Sequence, residues 1–303
     1  MKFSYLKLAS MSNEEAREYL EKIRWPYGPA CPHCGSVEYY TLNPRSSSNK
    51  PCRKGLYKCK DCKKQYSVTV GTIFHGSHVK LGIWLAVVHL MCSSKKGVSA
   101  HQVHRLFGVT YKTAWHMLHR IRFAVGQEPM AQKLQGIVEC DETYIGGRAR
   151  GKRGRGAAKK TPVFALVQRD GTVRSQKVES VSAKNLKDII YNNVDPLAII
   201  CTDDFRSYLG LDKDYSDHYI IQHSKGKYAE GINHTNTIEG FFSLLKRGIN
   251  GTFHHVSKKH LNLYLNEFNF RYNNRKITDI ERTLNALASV EGKRLMYRDS
   301  SRA

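Results

Sequence analysis

The chain has 303 residues, enough for two or three domains with one substantial core, and its 41% hydrophobic content is a globular composition that excludes a disordered tail. Its 49 Lys and Arg outnumber 26 Asp and Glu, a formal charge of +23, which favours a polyanionic partner, nucleic acid ahead of an acidic membrane surface. The longest apolar stretch, around Leu81 to Cys92, is too short to span a bilayer, and the N-terminus has neither a signal-peptide core nor a cleavage site; a cytoplasmic protein with no membrane partner is expected.

Ser12 and Glu15 form a capping box that predicts a short amphipathic helix from about Asn13 to Arg24, ended by Trp25 and Pro26. Beyond it, short turns alternate with aromatic and β-branched residues as in small hairpins built around a metal. Cys31 and Cys34 form one CxxC pair and Cys59 and Cys62 another, with 24 residues between the pairs. Eight cysteines in a reducing compartment are not expected to form disulfides, and four thiolates on two turns give the closed tetrahedral shell of one structural zinc ion, with no open position for catalysis. His33 and Cys52 are secondary candidates for ligands. Arg53, Lys60, Lys63 and Lys64 lie near enough in sequence to suit phosphate contact, although a ribbon that only packs on its neighbour is equally consistent.

From His78 to about Gln127 the pattern is helical. Ser99 caps one helix, Gly108 and Val109 make a turn, and Thr110 caps the next, which is the length and turn chemistry of a helix-turn-helix. The second helix would carry Tyr111, Lys112, Thr113 and His116 near its start, where base edges are met, with Arg120 and Arg122 placed for phosphates. An ordinary pair of packed helices has the same pattern.

From Ile137 the period changes to that of strands. GIVECDETYIGG reads as one strand, and TPVFALVQ and VRSQKVES as two more joined at a hairpin with Asp170-Gly171. A helix from Ala183 to about Asn193, a strand LAIICT, a short helix from Phe205, a strand HYIIQH and a helix from about Thr235 follow. The order βββαβαβα is that of a ribonuclease H-like mixed sheet, an α/β fold. A further amphipathic helix is predicted from Lys258 to about Asn274.

Three acids fall in matching settings. Asp141 lies on the first strand, on the same face as Glu139 and opposite Val138 and Cys140. Asp203 follows the apolar strand LAIICT, so it emerges at the strand's C-terminal end, where open α/β sheets place ligands. Glu239 lies on the last helix of the alternating run, and Lys246, seven residues and two turns later, faces the same side. Three converging carboxylates can supply oxygen ligands to two divalent cations such as Mg2+ or Mn2+, roughly 3.5 to 4 Å apart, the arrangement used for in-line displacement at phosphorus. Singly, each acid is equally a turn, capping or solvated residue. Between Gly146 and Thr161, seven basic residues and no acid, among them Arg148, Arg150, Lys152, Arg153 and Arg155, make a segment suited to a phosphate backbone.

These motifs together resemble the bacterial insertion-sequence transposases of the DDE type that carry an N-terminal zinc ribbon. The residues that carry the resemblance are WPYGPACPHCGS with CKDC, VECDETYIGG, TDDFRSY, and HTNTIEGFFSLLKRGINGTFHHVS with YLNEFNFRYNNR, spanning nearly the whole chain. The resemblance implies Asp141, Asp203 and Glu239 as metal ligands, with Asp203 preferred to Asp204 as the acid after the Thr of the TD motif, and Lys246 contacting DNA beside the scissile phosphate. Some relatives have Asn in place of the third acid, which makes Asn236, one turn before Glu239, a candidate ligand or partner, with His234 close by. It further implies cleavage at the ends of a mobile element, attack of the freed 3′ hydroxyl on target DNA, and a homodimer or higher multimer acting on double-stranded DNA. A catalytically silent DNA-binding regulator and a nuclease with the same core are the alternatives. The expected organisation is an N-terminal helix (1–24), a zinc ribbon (25–76), a helical DNA-binding region (77–130), a catalytic domain (131–256) and a C-terminal helical extension (257–303).

Overall fold

The structure, a computed structural model, describes residues 4–42, 54–126, 132–147, 160–221, 229–230 and 233–302. The chain divides into two units, Met1–Val125 with Ile277–Ala303, and Gly126–Lys276. No helix among the described residues is long and apolar enough to cross a membrane.

The first unit opens with α1 (Tyr5–Ser10) and α2 (Asn13–Arg24). Both halves of the capping box form: the Ser12 hydroxyl accepts from the Glu15 amide at 3.2 Å, and the Glu15 carboxylate accepts from the Ser12 amide at 2.8 Å. Three short strands follow, β1 (Tyr39–Thr41), β2 (Tyr57–Cys59) and β3 (Gln65–Tyr66), paired antiparallel in that order. The helical run predicted from His78 begins as a helix only at α3 (Leu81–Ser93). Its start is fixed from outside, because the Asn13 side chain accepts the Leu81 amide at 3.1 Å, satisfying one of the donors that a helix N-terminus leaves open. α3 is apolar all round, burying Trp84, Leu85, Val87, Val88 and Met91 among others, which marks it as the unit's central helix. α4 (Ala100–Phe107) and α5 (Tyr111–Ala124) begin on the predicted caps Ser99 and Thr110, and Gly108 between them takes the left-handed conformation (φ 65°) that closes α4.

In the second unit, β4 (Ile137–Ile145), β5 (Thr161–Gln168) and β6 (Val173–Lys177) form an antiparallel meander, with Asp170 and Gly171 in the last hairpin as predicted. α6 (Ala183–Asn193) leads to β7 (Ile199–Asp203), which lies parallel to β4, and β8 (Asp217–Ile221) lies parallel to β7. The five-stranded mixed sheet therefore has the order β6-β5-β4-β7-β8. A two-stranded piece, β9 (Ala229–Glu230) with β10 (Asn233–His234), precedes α7 (Asn236–Gly248), a π-helical turn at Ile249–Phe253, and α8 (Leu261–Asn273). The short helix expected from Phe205 is a single 3-10 turn, Arg206–Tyr208.

Period-two alternation gives this sheet two apolar faces. Ile145, Val163, Ala165, Val167 and Val173 pack under Ile238, Phe241, Phe242 and Leu245 of α7 and Leu261, Leu265 and Phe268 of α8. Val138, Cys140, Phe164, Leu166 and Ile200 pack on the opposite side with Leu186 and Ile190 of α6 and with Tyr208. The result is a helix–sheet–helix sandwich with α7 laid over β4 and β5.

Residues 277–302 return to the first unit as α9 (Asp279–Ala288) and α10 (Tyr297–Arg302), so the segment 257–303 is shared between the units. α9 starts on a second capping box, Thr278 with Glu281, and its buried Thr283 hydroxyl lies 2.8 Å from Nδ1 of His89 on α3.

α1 crosses α3 closely enough that a Cβ at Gly82 would stand 2.7 Å from the Leu8 carbonyl oxygen and 3.1 Å from that of Met11. Gly82→Ala is expected to destabilise the first unit by about 1 to 3 kcal/mol through overpacking against backbone. Denaturant unfolding of the full chain measures it, and an unchanged midpoint would mean that α1 yields without cost.

Candidate active site

β4 and β7 pair in parallel through Ile137 with Ile199, Val138 with Ile200 and Glu139 with Cys201. Two residues beyond the last paired position on each strand stand Asp141 and Asp203, near enough that the Asp203 charge acts on the Asp141 carboxyl. On β4 the residues Glu139, Asp141, Thr143 and Ile145 alternate onto the face covered by α7. On that helix Glu239, Phe242, Ser243, Lys246 and Arg247 stand at i, i+3, i+4, i+7 and i+8 and form one stripe.

These elements enclose a cavity of about 890 Å³ lined by Asp141, Glu142, Thr143, Asp203, Glu239, Phe242, Ser243, Lys246, Arg247, Asn250 and Gly251. Its wall carries carboxylates from β4, β7 and the start of α7, and cations from the end of α7. Asn250 and Gly251 belong to the π-helical turn, an irregularity often found at functional sites. Asp203 lines the cavity, whereas its neighbour Asp204 is exposed and does not. Neither Asn236, exposed in the first turn of α7, nor His234 is among the lining residues.

The acids are held by local bonds. The Asp141 carboxylate accepts the Glu142 amide at 2.7 Å, Asp203 accepts the Phe205 amide at 3.1 Å, and the Thr235 hydroxyl donates to Glu239 at 3.2 Å. The Glu142 carboxylate accepts from the buried Tyr208 hydroxyl at 2.7 Å. Burial pushes the Asp141 carboxyl up to about 8, and the charges of Asp203, Glu142 and Glu239 push the same way, against the opposing Glu142 amide. A cation between these acids would offset both the burial cost of the charged carboxylate and the smaller repulsion from its neighbours, which is the sense in which the donor set fits a divalent ion.

A buried acid without an assigned role in the sequence lies behind this site. Glu139 is fully buried. It accepts from Arg169 Nε at 2.7 Å and from the Ile238 amide of α7 at 2.8 Å, with His234 Nδ1 at 3.3 Å. The available signal was a second acid on the same strand face as Asp141, two residues before it and next to the apolar Val138 and Cys140, which requires a partner if it is buried. Arg247, Asn250 and Gly251 on the cavity wall were likewise not singled out.

In the first unit, Cys31, Cys34, Cys59 and Cys62 are the one set among the described residues whose metal-ligating atoms all lie within 4.8 Å of one another; the three carboxylates share a cavity but are more widely spread. The Cys31–Cys62 and Cys34–Cys59 sulfur distances are both 3.6 Å, close to the roughly 3.8 Å edge of a tetrahedron with 2.3 Å metal–sulfur bonds. Burial raises the Cys59 thiol, but the Cys62 and Asp61 amides and the neighbouring sulfurs outweigh it and bring it down to about 6. Cys52 lies outside the described residues, and His33 is not part of the cluster.

At the start of α5, Tyr111 and Lys112 are exposed, with the Lys112 ammonium 4.6 Å over the Tyr297 ring. The Thr113 amide closes the Thr110 cap. His116 is half-buried with no partner at Nε2. Arg120 donates to the carbonyls of Ile73, His75 and Leu295, and Arg122 is buried. The basic residues Arg148, Arg150, Lys152, Arg153 and Arg155 lie outside the described residues.

Residues 133–273 match the family described as the ISXO2-like transposase domain, and residues 11–65 match the transposase zinc-ribbon domain. Similar proteins include an uncharacterized protein in transposable element ISH50 of Halobacterium salinarum, 30% identical over 280 residues, which cover 86% of this chain and 91% of the relative. An uncharacterized transposase-like protein of Haemophilus influenzae is 39% identical over 100 residues, 33% of this chain and 80% of that protein. No solved structure matches the chain.

Asp141 gives a stability test in the absence of divalent cations. Its folded pKa, about 8, lies above the unfolded value of about 4. Its protonated form is therefore fully tolerated below about pH 4, and folding loses stability as pH rises from there through about 8. Asp141→Asn should match the wild type in stability near pH 4 and exceed it increasingly up to about pH 8, with a constant difference above. Unfolding titrations across this range check the trend, and a gain that shrinks with rising pH would contradict it.

Proposed function

Because the chain belongs to the ISXO2-like transposase family, we propose that it is a DDE transposase whose second unit is a ribonuclease H-like catalytic domain that cuts and joins double-stranded DNA. The observation that carries this reading is one cavity whose wall holds Asp141, Asp203 and Glu239 together with Lys246 and Arg247. The sheet order, an antiparallel meander extended by two parallel strands with helices on both faces, supports the fold assignment.

Asp141, Asp203 and Glu239 hold two divalent cations, Mg2+ or Mn2+, and Glu239 takes the third position because it lines the cavity while Asn236 does not. When bound, such a pair supplies activation of the attacking oxygen and stabilisation of the leaving one. Lys246 and Arg247, both exposed on α7, bind the flanking phosphates, and Asn250 offers an amide to the same backbone. Holding the phosphodiester against the acids at a fixed angle is the chain's main contribution, since in-line displacement depends on alignment. In the first step the P–O3′ bond at the element end breaks and water supplies the new oxygen; in the second the freed 3′ hydroxyl attacks a target phosphodiester, whose own 3′ oxygen leaves.

In the first unit the four cysteines hold one structural zinc ion, and α4 with α5 serve as a helix-turn-helix that presents Tyr111 and Lys112 to DNA. Arg120 has a different task in this reading: its guanidinium ties α5 to the carbonyls of Ile73, His75 and Leu295.

Two outcomes are expected. On a plasmid carrying the DNA that flanks this gene on both sides, with Mn2+ present, Asp203→Ala and Glu239→Gln abolish the cleavage and strand transfer seen with wild type while DNA binding stays within a few fold of wild type; retained cleavage in either variant removes that residue from the site. Metal analysis finds about one zinc per chain, and chelation exposes residues 25–70 to proteolysis while the second unit stays folded; zinc well below that level would contradict the four-cysteine site.

A further inference from the structure

We propose that Glu139 is a positioning residue of the active site: it serves as the anionic cap that seats the first turn of α7, and with it Glu239, against β4. The role in catalysis rests on the reading above; the anchoring itself does not.

A carboxylate with no solvent exposure in the middle of a sheet is costly unless its oxygens are matched. The partners of Glu139 all come from outside its own strand. Arg169, in the β5–β6 hairpin, donates through Nε at 2.7 Å, and the Ile238 amide donates at 2.8 Å. Arg169 also reaches over to the His234 carbonyl at 2.7 Å and lies 3.2 Å from His234 Nδ1. One charge pair thereby fastens both the strand β10 that leads into α7 and the third residue of the helix itself.

α7 needs such a fastening. Thr235 at its N-cap makes no side-chain capping bond and has φ −117° and ψ 20°, outside the extended conformation in which Ser, Thr and Asp ordinarily cap. The Thr235 hydroxyl is instead turned to Glu239. Glu139 supplies the missing acceptor at an N-terminal amide, and its negative charge sits at the positive end of the helix dipole. With one oxygen on Arg169 and His234 and the other on Ile238, and with no part in the cavity wall, it is not arranged as a cation ligand. Glu239 is the residue immediately after Ile238, so slack in that turn transfers directly to the ligand. Removing residues that orient metal ligands costs roughly 10- to 100-fold in metal affinity.

The test uses the full-length, zinc-loaded chain with the variants Glu139→Gln and Glu139→Gln/Arg169→Met, the second removing both buried charges so that no lone charge remains if the single variant is too unstable to purify. Mn2+ binding is measured by calorimetry, and amide exchange is followed over residues 233–242. The expected result is faster exchange in that segment, unchanged exchange across α6, and Mn2+ affinity lower by about tenfold or more. Unchanged exchange over 233–242 overturns the anchoring role. Faster exchange with unchanged Mn2+ affinity overturns the positioning of the ligand, and loss of Mn2+ binding as complete as in Asp141→Asn makes Glu139 a ligand instead. If wild type and Asp141→Asn bind Mn2+ alike, the cation reading of the cavity fails, while the exchange result still decides whether Glu139 seats α7.

Discussion

The parallel pairing of β4 with β7 brings two carboxylates, Asp141 and Asp203, to adjacent places at the edge of a buried sheet, and α7 brings a third. Like charges so placed repel, and the repulsion adds to burial in keeping Asp141 protonated up to about pH 8. A chain selected for stability alone would replace one of them with an apolar or amide residue. Retaining all three in the wall of a cavity that also carries Lys246 and Arg247 is a cost that, in the function proposed above, a bound cation and a phosphate backbone would relieve together.

The rest of the second unit holds that arrangement still. The meander of β4, β5 and β6 gives β4 a full antiparallel partner, α8 covers β6, and α7 lies over β4 and β5 through Ile238, Phe241, Phe242 and Leu245. Apolar packing sets the helix at the right height above the sheet, but it tolerates small slides and rotations. The Glu139 pair with Arg169, bonded to the Ile238 amide and the His234 carbonyl, adds directional contacts at the end of the helix that bears Glu239. Packing and polar anchoring thus divide the work of positioning.

Much of this was legible in the chain. Period-two runs and the Asp170-Gly171 hairpin marked the strands, the capping residues Ser12, Ser99 and Thr110 marked helix starts, and the paired CxxC spacing marked the cysteine cluster that the structure closes. The misses have physical reasons. Glu139 was read by its strand face alone, since its partners Arg169 and Ile238 are distant in sequence and only the folded sheet joins them. Arg120 reads as a surface cation on a helix, yet three carbonyls from two distant segments claim it. α9 escaped notice although Thr278 and Glu281 carry the same capping signal as Ser12 and Glu15. The π-helical turn that adds Asn250 and Gly251 to the cavity wall has no simple sequence period at all.

In the proposed function, Asp141, Asp203 and Glu239 converge on divalent cations beside a phosphate-binding wall. Anomalous diffraction from crystals grown in Mn2+ addresses it directly. Two manganese peaks about 3.5 to 4 Å apart are expected, each with oxygens of these three residues around it and with Lys246 and Arg247 on the same cavity wall. Peaks confined to other parts of the molecule, with the three carboxylates still separated at saturating Mn2+, would contradict it.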